Sequence, residues 1–168
     1  SGVYTPMEAN EPAFILATSG TTAKPKLAIH THGGYQVHIV SMARWVFGLK
    51  PTDVWWSTSD IGWIVGHSYI VYAPLLRGCT SVMYEGKPVG TPDAGAFWRV
   101  CAQHGVKVLF TAPTAMRAIK QQDPDGKLLQ SHDLSKLEAL FLAGERCDPP
   151  TAVWAAELQW SQWTKVRS

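Results

Sequence analysis

Between Ala17 and Lys26 the chain reads Ala-Thr-Ser-Gly-Thr-Thr-Ala-Lys-Pro-Lys. Four hydroxyl side chains (Thr18, Ser19, Thr21, Thr22) surround Gly20, and two lysines (Lys24, Lys26) flank Pro25. A glycine lets neighbouring backbone N–H groups turn toward one point, where hydroxyls and an ammonium complete a shell of donors around anionic oxygens. That chemistry suits phosphate. The apolar run Ala13-Phe14-Ile15-Leu16-Ala17 reads as a buried strand, which puts the loop at a strand end. Residue types alone leave a second reading open, a polar surface turn capped by lysines. A Walker loop is excluded, because Pro25 stands where that motif needs its second glycine, and no G-x-G-x-x-G is present.

Other groupings offer less. His30 and His32 are expected on one face of a strand at Leu27–Thr31, broken by Gly33-Gly34, but no third ligand is spaced to make a zinc site. No metal site is expected. Gly66-His67-Ser68-Tyr69-Ile70 fails as a nucleophile elbow because isoleucine replaces the closing glycine. Cys79, Cys101 and Cys147 lack Cys-x-x-Cys pairing and read as reduced, mostly buried thiols.

These residues need a scaffold, and the chain supplies alternating strands and helices. The apolar spacing from Tyr35 to Phe47 predicts a helix ended by Gly48 and packed on a sheet. Strands are expected at 53–57, 81–84, 106–111 and 138–143. Helices are expected at 93–104 with Asp93 as N-cap, at 115–121, and at 149–157 after Pro149-Pro150. Asp123-Pro124-Asp125-Gly126 is a turn. The alternation implies an α/β fold, a mainly parallel sheet with helices on both faces. Small residues in Ser59–Tyr69 should let Trp63 and Tyr69 approach a cavity. Composition agrees with a globular domain, at 46% hydrophobic and 17% charged over 168 residues. The net charge of +2 provides no basic stripe for nucleic acid. With neither a membrane-length apolar run nor a signal core, the expected setting is cytoplasmic and membrane-free. Oligomeric state is not readable.

Thr18–Lys26 resembles the phosphate-loop signature of the AMP-forming acyl-CoA synthetases, a branch of the adenylate-forming family. Two further blocks match in order. Ser59-Asp60-Ile61-Gly62-Trp63-Ile64-Val65-Gly66-His67-Ser68-Tyr69, followed by Tyr84-Glu85-Gly86, is similar to the acyl-pocket segment of short-chain members. Leu142-Ala143-Gly144-Glu145 is similar to the adenine-contacting segment, and Thr111-Ala112-Pro113-Thr114-Ala115 fits the pattern between them. The likeness covers about residues 11–157 and points to the acetyl-CoA and propionyl-CoA synthetase branch.

The resemblance implies a partial N-terminal domain of the adenylate-forming (ANL) fold over residues 1–157, with 158–168 an atypical tail. It implies an acid–thiol ligase: ATP and a short carboxylate (propionate, 3-hydroxypropionate or acetate) form an acyl-adenylate, and the CoA thiol then displaces AMP. Mg2+ accompanies ATP. Thr18, Ser19, Gly20, Thr21, Thr22, Lys24 and Lys26 would hold the β and γ phosphates, and Gly144, Glu145 and Arg146 would lie along adenine. Trp63, Ile64, Val65 and Ala143 would line the acyl pocket, and Val65 and Val89 would approach CoA. The family pattern is departed from at Ala23, Leu27, Val89 and Arg146. Later family blocks, including the C-terminal catalytic lysine, have no counterpart, so the chain reads as a fragment, expected to be inactive alone. Alternatives are a non-catalytic nucleotide-binding remnant and the ligase module of a multifunctional propionyl-CoA synthase, the latter suggested by the small Ala143.

Overall fold

The computed structural model describes residues 2–18 and 25–165, except for the side chains of Thr18 and of residues 159–165. The first elements are β1 (Pro12–Thr18) and β2 (Lys26–Thr31), an antiparallel hairpin whose register runs from Pro12 opposite Thr31 at its open end to Thr18 opposite Lys26 at the other. The hairpin forms a sheet of its own. Its expected burial is not found: Ile15 is 56% exposed, and Leu27 and Ile29 on the same face are more so. Only the opposite face packs, through Phe14, which stacks on His30 and meets Tyr35 edge-on.

Helix α1 (His32–Ser41) starts earlier than expected and continues as a π-helical turn, Met42–Val46. The Thr31 hydroxyl accepts from Gly34 N and caps the first turn, so Gly33-Gly34 lies inside the helix instead of breaking the strand. The two histidines therefore do not share a strand face, since His30 ends a strand and His32 opens a helix. Among the described residues no group of three or more His, Cys, Asp or Glu converges as a metal site.

The main sheet holds β3 (Val54–Ser57), β4 (Thr80–Ser81), β5 (Val108–Thr111) and β6 (Ala139–Leu142), all parallel, in the order β4-β3-β5-β6. Between β3 and β4 lie α2 (Ile64–Gly66), a π-helical stretch to Tyr72, and α3 (Ala73–Arg77). Then follow α4 (Ala96–His104), α5 (Pro113–Gln122), α6 (Lys127–Gln130) and α7 (Pro149–Lys165). Successive strand residues point to opposite faces. Trp55 thus enters one core with Val108, Phe110, Ile39, Ala43 and Phe47, while Trp56 enters the other with Leu109, Phe97, Met116, Ile119 and Trp154. Helices cover both faces, as a parallel sheet requires. Each large apolar side chain so buried contributes on the order of 1.5–3 kcal/mol, and the hairpin, with one face bare, buries few. Stability resides in the main sheet.

Asp53 and Lys107, just before β3 and β5, tie the N-terminal ends of the two central strands: Lys107 Nζ lies 3.1 Å from both Asp53 oxygens, with Asp53 only 9% exposed. That contact holds the Lys107 pKa above its ordinary value. Cys79 and Cys101 are buried, Cys147 is partly so, and all three are free thiols, as expected.

Several boundaries differ from expectation. Asp93 does not cap α4; its Oδ1 accepts from Gly95 N at 2.7 Å and Arg99 Nη2 at 3.0 Å, a local turn that delays the helix to Ala96. The strand expected at 81–84 shrinks to Thr80–Ser81, because Tyr84 turns to pack edge-on against Trp56 and Phe97. Helix α7 runs past Glu157 to Lys165, and Leu158 is a core residue lying over Gly126.

Candidate active site

The chain passes from β3 outward to β4, then crosses back over β3 to reach β5. Strand order therefore reverses between β3 and β5, and in open parallel sheets a crevice forms outside the C-terminal strand ends at such a point. A cleft of about 730 Å³ lies there, lined by Ser57 and Thr58 at the end of β3, Thr111 and Ala112 at the end of β5, and Tyr84–Gly86 opposite. Thr58 Oγ1 donates to Thr111 Oγ1 at 2.6 Å across the switch point, and Ser57 Oγ donates to Ser59 Oγ at 3.3 Å. Hydroxyls at the ends of two parallel strands present donors and acceptors without charge. Thr111 opens the Thr111–Ala115 stretch that fits the family pattern and ends a predicted strand, whereas Thr58 belongs to no motif and only follows the strand predicted at 53–57.

The cleft's outer wall is fixed by backbone. Asp60 Oδ1 accepts from Gly62 N at 2.7 Å, and Asp60 O accepts from Trp63 N at 3.1 Å. Gly66 packs so closely beneath this turn that a Cβ there would overlap Asp60 O. On the other side, Thr91 closes the loop that carries Tyr84, Glu85 and Gly86. Its Oγ1 accepts from Lys87 N, donates to Lys87 O, and lies 3.1 Å from Tyr84 Oη.

The three residues expected along the acyl pocket from the second block are separated. Ile64 and Val65 line a second cleft of about 560 Å³ with Tyr35, Ser68 and His30, whereas Trp63 is 71% exposed at the start of α2 and lines neither cleft. In that second cleft Tyr35 and Ser68 pair through their hydroxyls at 2.6 Å, and burial pushes the Tyr35 phenol above its ordinary pKa. A third cleft of about 540 Å³ separates the hairpin from the 61–76 segment, lined by Phe14, Ile61, His67 and Tyr72. Val89 is partly buried against the core that holds Trp56. Of the expected phosphate loop, Ser19, Gly20, Thr21, Thr22 and Lys24 lie outside the described residues, as does the Thr18 side chain, and Lys26 starts β2.

Ala143, Gly144, Glu145 and Arg146 follow β6 at the same C-terminal edge of the sheet, all exposed, with Gly144 at φ +96°. The Glu145 carboxylate is turned toward the first turn of α5 and stays partly exposed. It accepts from Thr114 N at 2.7 Å, from the Thr114 hydroxyl, and from Arg117 Nη2 at 3.0 Å. Arg117 Nη1 reaches Asp148 Oδ1 at 3.2 Å, and Asp148 caps α7 by accepting from Thr151 N. The Thr114 hydroxyl, then Arg117, holds the Glu145 pKa below the usual carboxylate range; Thr151, then Arg117, does so for Asp148. Arg117 was not expected from the sequence. Its signal is weak, an arginine one turn after Pro113-Thr114.

A match to the family described as AMP-binding enzyme extends over residues 2–162. The chain belongs to this family. Among AMP-binding enzymes it is 55% identical over 153 residues to acyl-CoA synthetase short-chain family member 3, mitochondrial, of Mus musculus, covering 91% of this chain and 22% of that protein. It is 56% identical over 150 residues to the Homo sapiens protein of the same name, covering 89% and 22%. It is 48% identical over 149 residues to acetyl-coenzyme A synthetase of Rhodobacter capsulatus, again covering 89% and 22%. The chain thus spans about a fifth of the length of these curated relatives. Membership in the AMP-binding family agrees with the parallel α/β sheet and with the order of the three blocks. Among the described residues no helix is long and apolar enough to cross a membrane.

Proposed function

We propose that this chain is the ATP- and carboxylate-facing portion of an AMP-forming short-chain carboxylate–CoA ligase. The observation that carries the reading is the hydroxyl-lined cleft at the β3/β5 switch point, flanked by Gly144–Arg146, in a chain of the AMP-binding family. In this reading ATP and a short carboxylate give an acyl-adenylate and pyrophosphate, and the CoA thiol displaces AMP. Thr18, Ser19, Gly20, Thr21, Thr22, Lys24 and Lys26 contact the β and γ phosphates. Gly144, Glu145 and Arg146 lie along adenine, Ile64, Val65 and Ala143 bound the acyl group, Trp63 joins them only by moving from its exposed position before α2, and Val65 and Val89 approach CoA. Rate enhancement comes from alignment and charge stabilisation, with no protein nucleophile. Magnesium enters as part of the MgATP substrate, which suits an ion that binds through phosphates and few protein carboxylates.

The names of the relatives favour a ligase over a non-catalytic remnant. Replacing the matched segment of the Mus musculus relative with residues 2–157 of this chain should give a polypeptide that releases AMP and pyrophosphate from ATP, CoA and propionate. Lys24→Ala in that chimera should raise the KM for ATP about tenfold, as expected for loss of one charge-assisted contact. A chimera that folds and releases no AMP with propionate, acetate or 3-hydroxypropionate would refute the ligase reading. Competition between propionate and 3-hydroxypropionate assigns the acid. We propose a cytoplasmic setting; localisation of the tagged chain tests it against the mitochondrion in the mammalian relatives' names.

A further inference from the structure

Residues 143–146 leave the sheet exposed, so something other than apolar packing must hold their shape. The first N–H groups of a helix lack intrahelical partners and attract an anion. At α5, a helix of 10 residues, no residue of its own caps the start, and Glu145 supplies the anion from a distant element. That N-terminus is filled by the protein's own carboxylate. Arg117, one turn along α5, spreads its guanidinium between Glu145 and Asp148 and so links α5, the 143–146 strip and the start of α7.

We infer that Arg117 is a positioning residue for nucleotide binding: by bridging Glu145 and Asp148 it fixes the backbone of Gly144–Arg146, which presents main-chain groups to the adenine ring, while the Glu145 carboxylate, engaged by Thr114 and Arg117 of α5, makes no ligand contact. The inference rests on the proposed assignment of residues 143–146 to adenine. It deepens that assignment by separating what the strip's backbone does from what its acidic side chain does. Arg117 reaches its two carboxylates through separate nitrogens of one planar fork, Nη2 to Glu145 and Nη1 to Asp148, whereas a lysine would have to bring a single ammonium nitrogen within reach of both.

The test titrates the chain with ATP by calorimetry, follows Tm, and reads amide hydrogen exchange at residues 143–148 without nucleotide. R117Q and R117K should both weaken ATP binding about five- to tenfold, the loss of roughly one charge-assisted hydrogen bond, and both should speed exchange at 144–146 with little change in Tm. E145Q keeps an oxygen for Thr114 and should fall between wild type and E145A. Lys127→Gln, which removes only the exposed pair with Asp125, should alter neither readout. Full affinity in R117K would reduce Arg117 to a non-specific charge and overturn the inference, as would an affinity loss that tracks Tm across the series. If the wild-type chain binds no ATP, the adenine assignment and the nucleotide half of the inference both fall. Exchange then judges the clamp by itself, and unchanged protection in R117Q would overturn that half too.

Discussion

A carboxylate that already accepts three hydrogen bonds, as Glu145 does from Thr114 N, the Thr114 hydroxyl and Arg117, is committed before any ligand arrives. Its pKa and that of Asp148 are depressed, so the sign of the pH effect follows. Each contributes stability that is fully present above the ordinary carboxylate value of about 4 and is lost as pH falls through the lower folded value. Thermal melts taken from about pH 6 down to about pH 3 should show Tm falling in the wild type. The fall should be shallower in R117Q, in which both carboxylates lose a partner that holds them ionised. Asp93 and Asp133 are depressed as well and supply a common background, so the difference between the two curves is the quantity that counts. Parallel curves would remove Arg117 as a cause of the depressed values.

At the scale of elements, the cleft depends on how closely backbone can approach backbone. The 60–66 turn lies against Gly66 in α2 with no space for a side chain, and the atom in the way is the Asp60 carbonyl, which cannot rotate aside as a flexible side chain could. Gly66→Ala should therefore displace the turn and destabilise the chain by roughly 1–3 kcal/mol, the usual cost of overpacking. Urea denaturation measures it, and a change within about 0.5 kcal/mol, ordinary for an uninvolved surface site, would show the turn to be loosely held. Gly62 is different, because its nearest neighbour is the Asp60 side chain, which has alternatives.

For the whole molecule, two bodies of unequal stability follow from where the apolar area goes. The four-stranded sheet buries both faces, while the β1–β2 hairpin docks by one face through Phe14, His30, Tyr35 and Tyr72. A two-stranded sheet is marginal alone in water. Phe14→Ala should speed amide exchange through β1 and β2 at least tenfold, the consequence of losing one aromatic contact of about 1 kcal/mol together with its buried area. Exchange in β3 and β5 should stay at its wild-type rate. Equal acceleration in both regions would mean that hairpin and sheet unfold as one unit.

The alternation of strands and helices, the strand that carries Trp55-Trp56 and the three blocks in order were all legible in the residues, because each is a local pattern with its own period or motif. What stayed hidden is non-local. Thr58 meets Thr111 and Glu145 meets Thr114 across separations of 53 and 31 positions, and no spacing rule reaches that far; only the β4-β3-β5-β6 order makes the first pair neighbours. The sequence also misjudged β1, since an apolar run says that a strand can be buried and not whether another layer covers it. Residue chemistry by itself determined which side chains have the donors and charge that suit phosphate, and that neither the Walker pattern nor the nucleophile-elbow pattern is met. Tertiary structure decided which groups face one another, because strand order and helix docking, not distance along the chain, set the contacts over which hydrogen bonds and charges act.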